Sequence, residues 1–233
     1  MLQRDMLFAD AIGGMAVGKI AAVASLKGGT GKSTIAVSLA CQLAAGAVSV
    51  AFIDADEQGT ASYWIGQGDY PVTLETAAPG EDAWEWAGRI AALDAEFIVI
   101  DAPPHLGPIT RAIIDIADVV LIPALASTAD IMATGKAVDL VRAARVQRAD
   151  KGPKILLIPS RVDRRTMAGK EIEAVLLEFG EPVAPAVRQR SALVDCFTAG
   201  KWVGAYARNS DAHTDIQTLT AVVRRVLRNG KAS

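Results

Sequence analysis

Cysteine is nearly missing from this chain of 233 residues, which has only Cys41 and Cys196, far apart and without the short spacing of a metal or redox motif. That excludes a disulfide-stapled scaffold and fits a reducing compartment, so a cytoplasmic protein is expected. Histidine is as scarce: His105 and His213 stand alone, without a metal-ligand partner pattern. Aromatic residues make up 5% of the chain and few lie near its basic residues, so base stacking is not indicated. No apolar run reaches the roughly eighteen residues a membrane helix requires. Asp5 and Asp10 interrupt the N-terminal apolar residues, which removes the pattern of a secretory signal. Repeats, low-complexity tracts and Gly/Ser linkers are also missing. One domain over residues 19–233 is expected, with 1–18 a dispensable N-terminal extension and Met15 an alternative start.

What the chain does have is apolar sequence, 51% of it against 21% charged. Val/Ile-rich runs recur at Ile20–Leu26, Val48–Ile53, Phe97–Ile100, Val119–Ile122 and Ile155–Ile158, apolar on both faces as in strands of a buried parallel sheet. Between them, Lys32–Ala45, Ala83–Leu93, Thr110–Ile116 and Thr128–Arg145 have the length and composition of crossover helices. The expected fold class is α/β, a doubly wound, mostly parallel sheet flanked by helices.

The first run leads into Lys27-Gly28-Gly29-Thr30-Gly31-Lys32-Ser33-Thr34 and at once into a helical stretch. Strand, glycine loop and helix in that order make a phosphate cradle: backbone N–H groups turn inward where no Cβ obstructs them, and the helix N-terminus adds its positive end. Lys32 would reach the β- and γ-phosphates, and the Ser33 hydroxyl would ligate Mg²⁺. Acids stand at two other strand ends, in Ile53-Asp54-Ala55-Asp56-Glu57-Gln58 and in Ile98-Val99-Ile100-Asp101. Ligands of an open α/β sheet bind beyond the carboxyl ends of its strands, so these acids should meet the glycine loop. Asp101 would hold a Mg²⁺-bound water, and Asp54 and Asp56 would orient the magnesium and the attacking water.

The ordinary phosphate-loop pattern needs glycine at position 26; here Leu26 stands there, followed by an additional lysine. Lys27-Gly28-Gly29-x-Gly31-Lys32-Ser33 resembles the deviant Walker A motif of the ParA/MinD family of P-loop ATPases, and the chain is most similar to its small partition members. The resemblance implies ATP and Mg²⁺ as cofactors. It also implies a nucleotide-sandwich homodimer in which Lys27 crosses to the partner's phosphates, and hydrolysis centred on Lys27, Lys32 and Asp56. The family's D-x-D-P-Q motif matches Asp54, Asp56 and Gln58, with Glu57 in place of proline. A family-like stretch is echoed by Ile122-Pro123-Ala124-Leu125-Ala126-Ser127-Thr128-Ala129-Asp130, where Ser127 or Thr128 reads as a helix cap. Adenine contact is implied for the Pro159-Ser160-Arg161 segment, through Pro159 and Arg161.

Charge is lopsided: residues 1–141 hold 7 basic and 17 acidic residues, against 17 and 9 in residues 142–233. The resemblance implies nonspecific binding of nucleoid DNA by basic residues of the second half, and Arg188, Arg190, Arg224, Arg225 and Arg228 are the candidates. It implies further that a ParB-like or other cargo-bound adaptor stimulates hydrolysis and so segregates a plasmid or chromosome. Two other classes stay open. A MinD-like membrane-associated ATPase would use the terminal helix, where Ile216, Leu219, Val223, Val226 and Leu227 share one face, although a packed helix has the same pattern. A metabolic enzyme of the amidoligase type would use the same loop. The iron–sulfur variant of that class is disfavoured by Cys41, which falls inside the helix after the loop.

Overall fold

The computed structural model describes residues 18–76 and 81–228, so the expected extension, apart from Gly18, and Met15 lie outside the described residues. Seven parallel strands form one sheet, in the order β3-β2-β4-β1-β5-β6-β7. They are β1 (Lys19–Val23), β2 (Val50–Asp54), β3 (Thr73–Thr76), β4 (Phe97–Asp101), β5 (Val119–Ala124), β6 (Lys154–Val162) and β7 (Val187–Arg188). All five apolar runs are strands, though the first stops at Val23, three residues short of Leu26. β3 and β7 have no counterpart among those runs. β3 is a four-residue edge strand with mostly polar, partly exposed side chains, and β7 has two residues, so neither carries an apolar run.

The nine helices of the described residues are α1 (Lys32–Ala44), α2 (Thr60–Gly66), α3 (Ala83–Ala91), α4 (Pro108–Ile116), α5 (Thr128–Gln147), α6 (Met167–Leu177), α7 (Ala192–Thr198), α8 (Val203–Tyr206) and α9 (Asp211–Arg228). Several start where side-chain chemistry demands it. Asp82 caps α3 by accepting from the Trp84 and Glu85 N–H groups, Ser127 caps α5, and Thr166 caps α6. Pro108 opens α4, where a missing N–H costs nothing.

Strand side chains alternate between two cores. Ala21, Val23, Phe52 and Val99 face α1, α2, α7, α8 and α9; Ile20, Ala22, Ile53 and Ile100 face α3, α4, α5 and α6. Helix α1 is buried nearly all round, because α9 closes over it with Ile216, Leu219, Val223 and Leu227. The terminal apolar face is therefore core, and Val226 is only partly buried against it. No helix of the described residues is long and apolar enough to cross a membrane.

Both thiols are buried in the first core, and burial pushes each upward, Cys196 to about 11. His213 is buried too: its Nε2–H donates to Gln42 Oε1 at 2.8 Å, tying α9 to α1, and Trp202 meets the ring edge-on. Trp64 stacks on Phe197 at 4.0 Å, Trp86 is fully buried, and Trp84 is partly exposed. Phe52, on β2, is fully buried in the first core, so Phe52→Ala is expected to cost about 3–5 kcal/mol of unfolding free energy, measured by urea denaturation.

Candidate nucleotide site at the carboxyl edge of the sheet

The chain leaves β1 at Val23 and turns through the glycine loop into α1. Gly29 and Gly31 hold φ of 78° and 87°, the left-handed region in which an L side chain is strained. At Gly31 space is short as well, since a Cβ there would stand 3.1 Å from Ser160 Oγ. Helix α1 begins with no side-chain cap and no acid in its first turn, in contrast to α3, α5 and α6, each of which has a side-chain cap. Its first N–H groups are left for an external anion.

Lys32 is buried and has no ion-pair partner among the described residues. Burial lowers its pKa, opposed by Asp101 and Asp56, so both acids are close enough to act on it. Asp54 and Asp101 end neighbouring strands in direct register. Burial pushes the Asp101 carboxyl up to about 7; Ser33 and Lys32 pull it down, and Asp54 and Asp56 push it further up. Asp101 Oδ1 is buried with no hydrogen-bond partner. An orphaned carboxylate oxygen beside the Ser33 hydroxyl is what a small dication would satisfy. No group of three or more acids, histidines or cysteines among the described residues could hold a metal ion by itself. Phosphate oxygens and water would have to complete the shell, as Mg²⁺ prefers.

Asp54 also holds the backbone that follows it. Its Oδ1 accepts from the Asp56 N–H at 3.2 Å and its Oδ2 from the Ser62 N–H at 2.7 Å, so both oxygens anchor the turn between β2 and α2. Asp54 shapes the loop that carries Asp56, and Asp101 offers a buried oxygen without a hydrogen-bond partner. Asp56 is half-buried, and its Oδ1 accepts from the Gln58 N–H.

Lys27 opens the loop with its side chain 43% exposed and its Nζ 2.9 Å from Asp130 Oδ1. Burial raises the Asp130 carboxyl, but the Ser127 hydroxyl and the Lys27 ammonium outweigh it and hold the acid below the usual range. Ser127 is the α5 cap that the sequence suggests; the pairing of Asp130 with Lys27 has no signal in the sequence, because a Ser-x-x-Asp signature explains itself locally.

A nucleotide-binding domain model described as CobQ/CobB/MinD/ParA matches residues 21–202, most of the chain. The chain belongs to that family. Its ParA/MinD members are ATPases, this chain included, and ATP with Mg²⁺ is their cofactor pair. The fold is that of the ParA/MinD P-loop ATPases, a family of positioning ATPases that dimerise and act with partners. Among relatives, a maintenance of carboxysome distribution protein A from Gloeobacter kilaueensis is 33% identical over 83% of this chain and 89% of its own length. The chromosome-partitioning ATPase Soj of Thermus thermophilus is 30% identical over 88% of this chain and 95% of its own. Among solved structures, an ATP complex of a Cyanothece McdA variant superposes with a TM-score of 0.75 at 21% identity, covering 92% of this chain and 98% of that one, a likeness of fold.

Pro159 and Arg161, the adenine candidates, lie within β6 rather than in a loop after it, and Pro159 is buried. Arg161 Nη1 donates to the Gly29 carbonyl at 3.1 Å. The five DNA candidates do not form one surface. Arg188 and Arg190 sit at the nucleotide edge beside Asp215 and Asp211, with Arg190 Nη2 3.0 Å from Asp211 Oδ2. Arg224 lies part-buried at the opposite edge, over the Phe97 ring and within hydrogen-bond reach of the Leu43 carbonyl. Arg225 and Arg228 are exposed on α9 and have no ion-pair partner among the described residues.

Proposed function

We propose that the chain is an ATP-driven positioning switch: two ATP-bound copies pair through their nucleotide edges, the pair holds duplex DNA without sequence preference, and hydrolysis stimulated by a cargo-bound adaptor releases it. The observation that carries this reading is Lys27. A lysine at the mouth of the loop, nearly half exposed and held by a single carboxylate, is free to exchange Asp130 for a partner's phosphates once two edges meet. Leu106, in the loop after β4, and Met132, in the first turns of α5, are exposed apolar residues at that same edge and suit a surface covered by a second copy.

Lys32, the Gly28–Thr34 backbone and Ser33 would hold the triphosphate, Asp101 with Ser33 the Mg²⁺, and Asp56 would orient the water. Bound Mg²⁺ supplies charge neutralisation between the phosphates. Of the five DNA candidates, Arg225 and Arg228 are exposed and without an ion-pair partner among the described residues. They lie near the end of α9 beside Lys154, which starts β6 and donates to the Val226 carbonyl, hence at the amino edge of the sheet. In an edge-to-edge pair this places one basic end at each outer pole. The relatives' names support a carboxysome or a chromosome as the cargo. Nucleoid localisation follows from DNA binding.

Retention on random-sequence duplex DNA with ATP, with ADP and without nucleotide tests this reading. Wild type should be retained with ATP alone and released by salt, and the double variant Arg225→Glu/Arg228→Glu should lose retention while still hydrolysing ATP. Each lost phosphate contact should also reduce the salt slope by about 1. Equal or absent retention in every nucleotide state would sink the DNA reading and make ATP-dependent liposome sedimentation the next measurement.

A further inference from the structure

The phosphate loop is gripped from outside by two consecutive residues of β6. This strand is nine residues long and pairs with β5 only as far as Ala124 opposite Pro159, so Ser160–Val162 overhang the nucleotide edge. There the strand pairs with β7 across a register shift, and Arg161 takes φ of 50°, a left-handed conformation unusual for a non-glycine residue. The shift lets neighbouring side chains reach the same loop. Ser160, itself buried, donates from Oγ to the Thr30 carbonyl at 2.8 Å, and Arg161 donates to the Gly29 carbonyl at 3.1 Å.

We infer that Ser160 and Arg161 are positioning residues that pre-organise the anion nest for a triphosphate, whatever base it carries. The reason is the planarity of the peptide unit. In a trans peptide the C=O of one residue and the N–H of the next point in opposite directions. Drawing the Gly29 and Thr30 carbonyls out toward β6 therefore turns the Thr30 and Gly31 N–H groups away from β6, and neither N–H has a hydrogen-bond partner among the described residues. It also keeps two carbonyl oxygens, the negative ends of those dipoles, away from the phosphates. Glycine at 31 fits the same scheme: the close approach of Ser160 Oγ leaves little room for a Cβ. Strain held at Arg161 belongs to this grip, since a bulge without it would aim the guanidinium elsewhere.

The inference rests on residues 27–34 being the phosphate loop, a point tested separately by wild-type binding of Mg–ATP and its loss in Lys32→Ala. The experiment is calorimetric titration of wild type, Ser160→Ala, Ser160→Thr and Arg161→Gly with Mg–ATP and with Mg–tripolyphosphate, plus the Tm of each free protein. Ser160→Ala should weaken both ligands alike, by about 3- to 10-fold, and Ser160→Thr, which keeps the hydroxyl, should recover most of that loss. Arg161→Gly should weaken both ligands while its Tm holds or rises, because glycine takes a φ of 50° without strain. Affinity lost only together with Tm would overturn the inference in favour of general loosening. A loss confined to ATP, with tripolyphosphate unaffected, would overturn it in favour of a base contact, and unchanged affinity for both ligands would overturn it outright.

Discussion

Lys27→Ala is expected to flatten the dependence of ATP turnover on protein concentration. In wild type, turnover per chain should rise with concentration as edges pair, and the variant should stay low throughout. A cation delivered in trans to a developing phosphate charge is worth about 10³–10⁵ in rate in GTPase systems, and that range is an upper guide for a slow ATPase. Binding of ATP to the single chain should survive, because Lys32 and the loop backbone remain. Asp130→Asn supplies the opposite perturbation. It removes the charge that holds Lys27 and leaves the Ser127 cap in place, so the rise should move to lower protein concentration. Equal concentration dependence in wild type and Lys27→Ala would remove Lys27 from the paired site.

Asp56→Asn should be as damaging to hydrolysis and less so to assembly. The asparagine keeps an oxygen to accept from the Gln58 N–H, so the turn survives, but the charge that can orient and deprotonate water is lost. A positioned acid–base group contributes about 10²–10⁴-fold, and turnover should fall by that order. ATP-bound pairs should then accumulate, visible as a persistent dimer in size-exclusion chromatography with Mg–ATP. Turnover within about threefold of wild type would place the water-orienting role elsewhere. Asp54, whose two oxygens each accept one backbone N–H group, is the second candidate.

Legibility in this chain follows the range of the interaction. The five apolar runs are readable because each strand is apolar on both faces, and the glycine loop because its spacing, its lysine and its flanking elements are contiguous. β3 is not, because an edge strand exposes alternate residues and Thr73–Thr76 carries one aliphatic side chain among its four. Helix α2 follows a turn that Asp54 ties down from β2, so its start at Thr60 has no signature of its own; its N-cap is Gly59, with no side-chain cap. The arginines show the same limit. Arg188, Arg190, Arg224, Arg225 and Arg228 are equivalent in a charge count, yet neighbours such as Asp215 beside Arg188 and Phe97 under Arg224 decide which of them remain available.

Sequence by itself determined the α/β class, the phosphate loop and the acids at strand ends, because these depend on local periodicity and on the rule that a parallel sheet gathers its loops at one edge. Only the tertiary structure decided the strand order that sets β4 between β1 and β2, the hold of Asp130 on Lys27, and the grip of Ser160 and Arg161 on the loop. Each of those joins residues far apart in the chain, and such pairings are fixed by how crossovers pack rather than by any pattern within one segment.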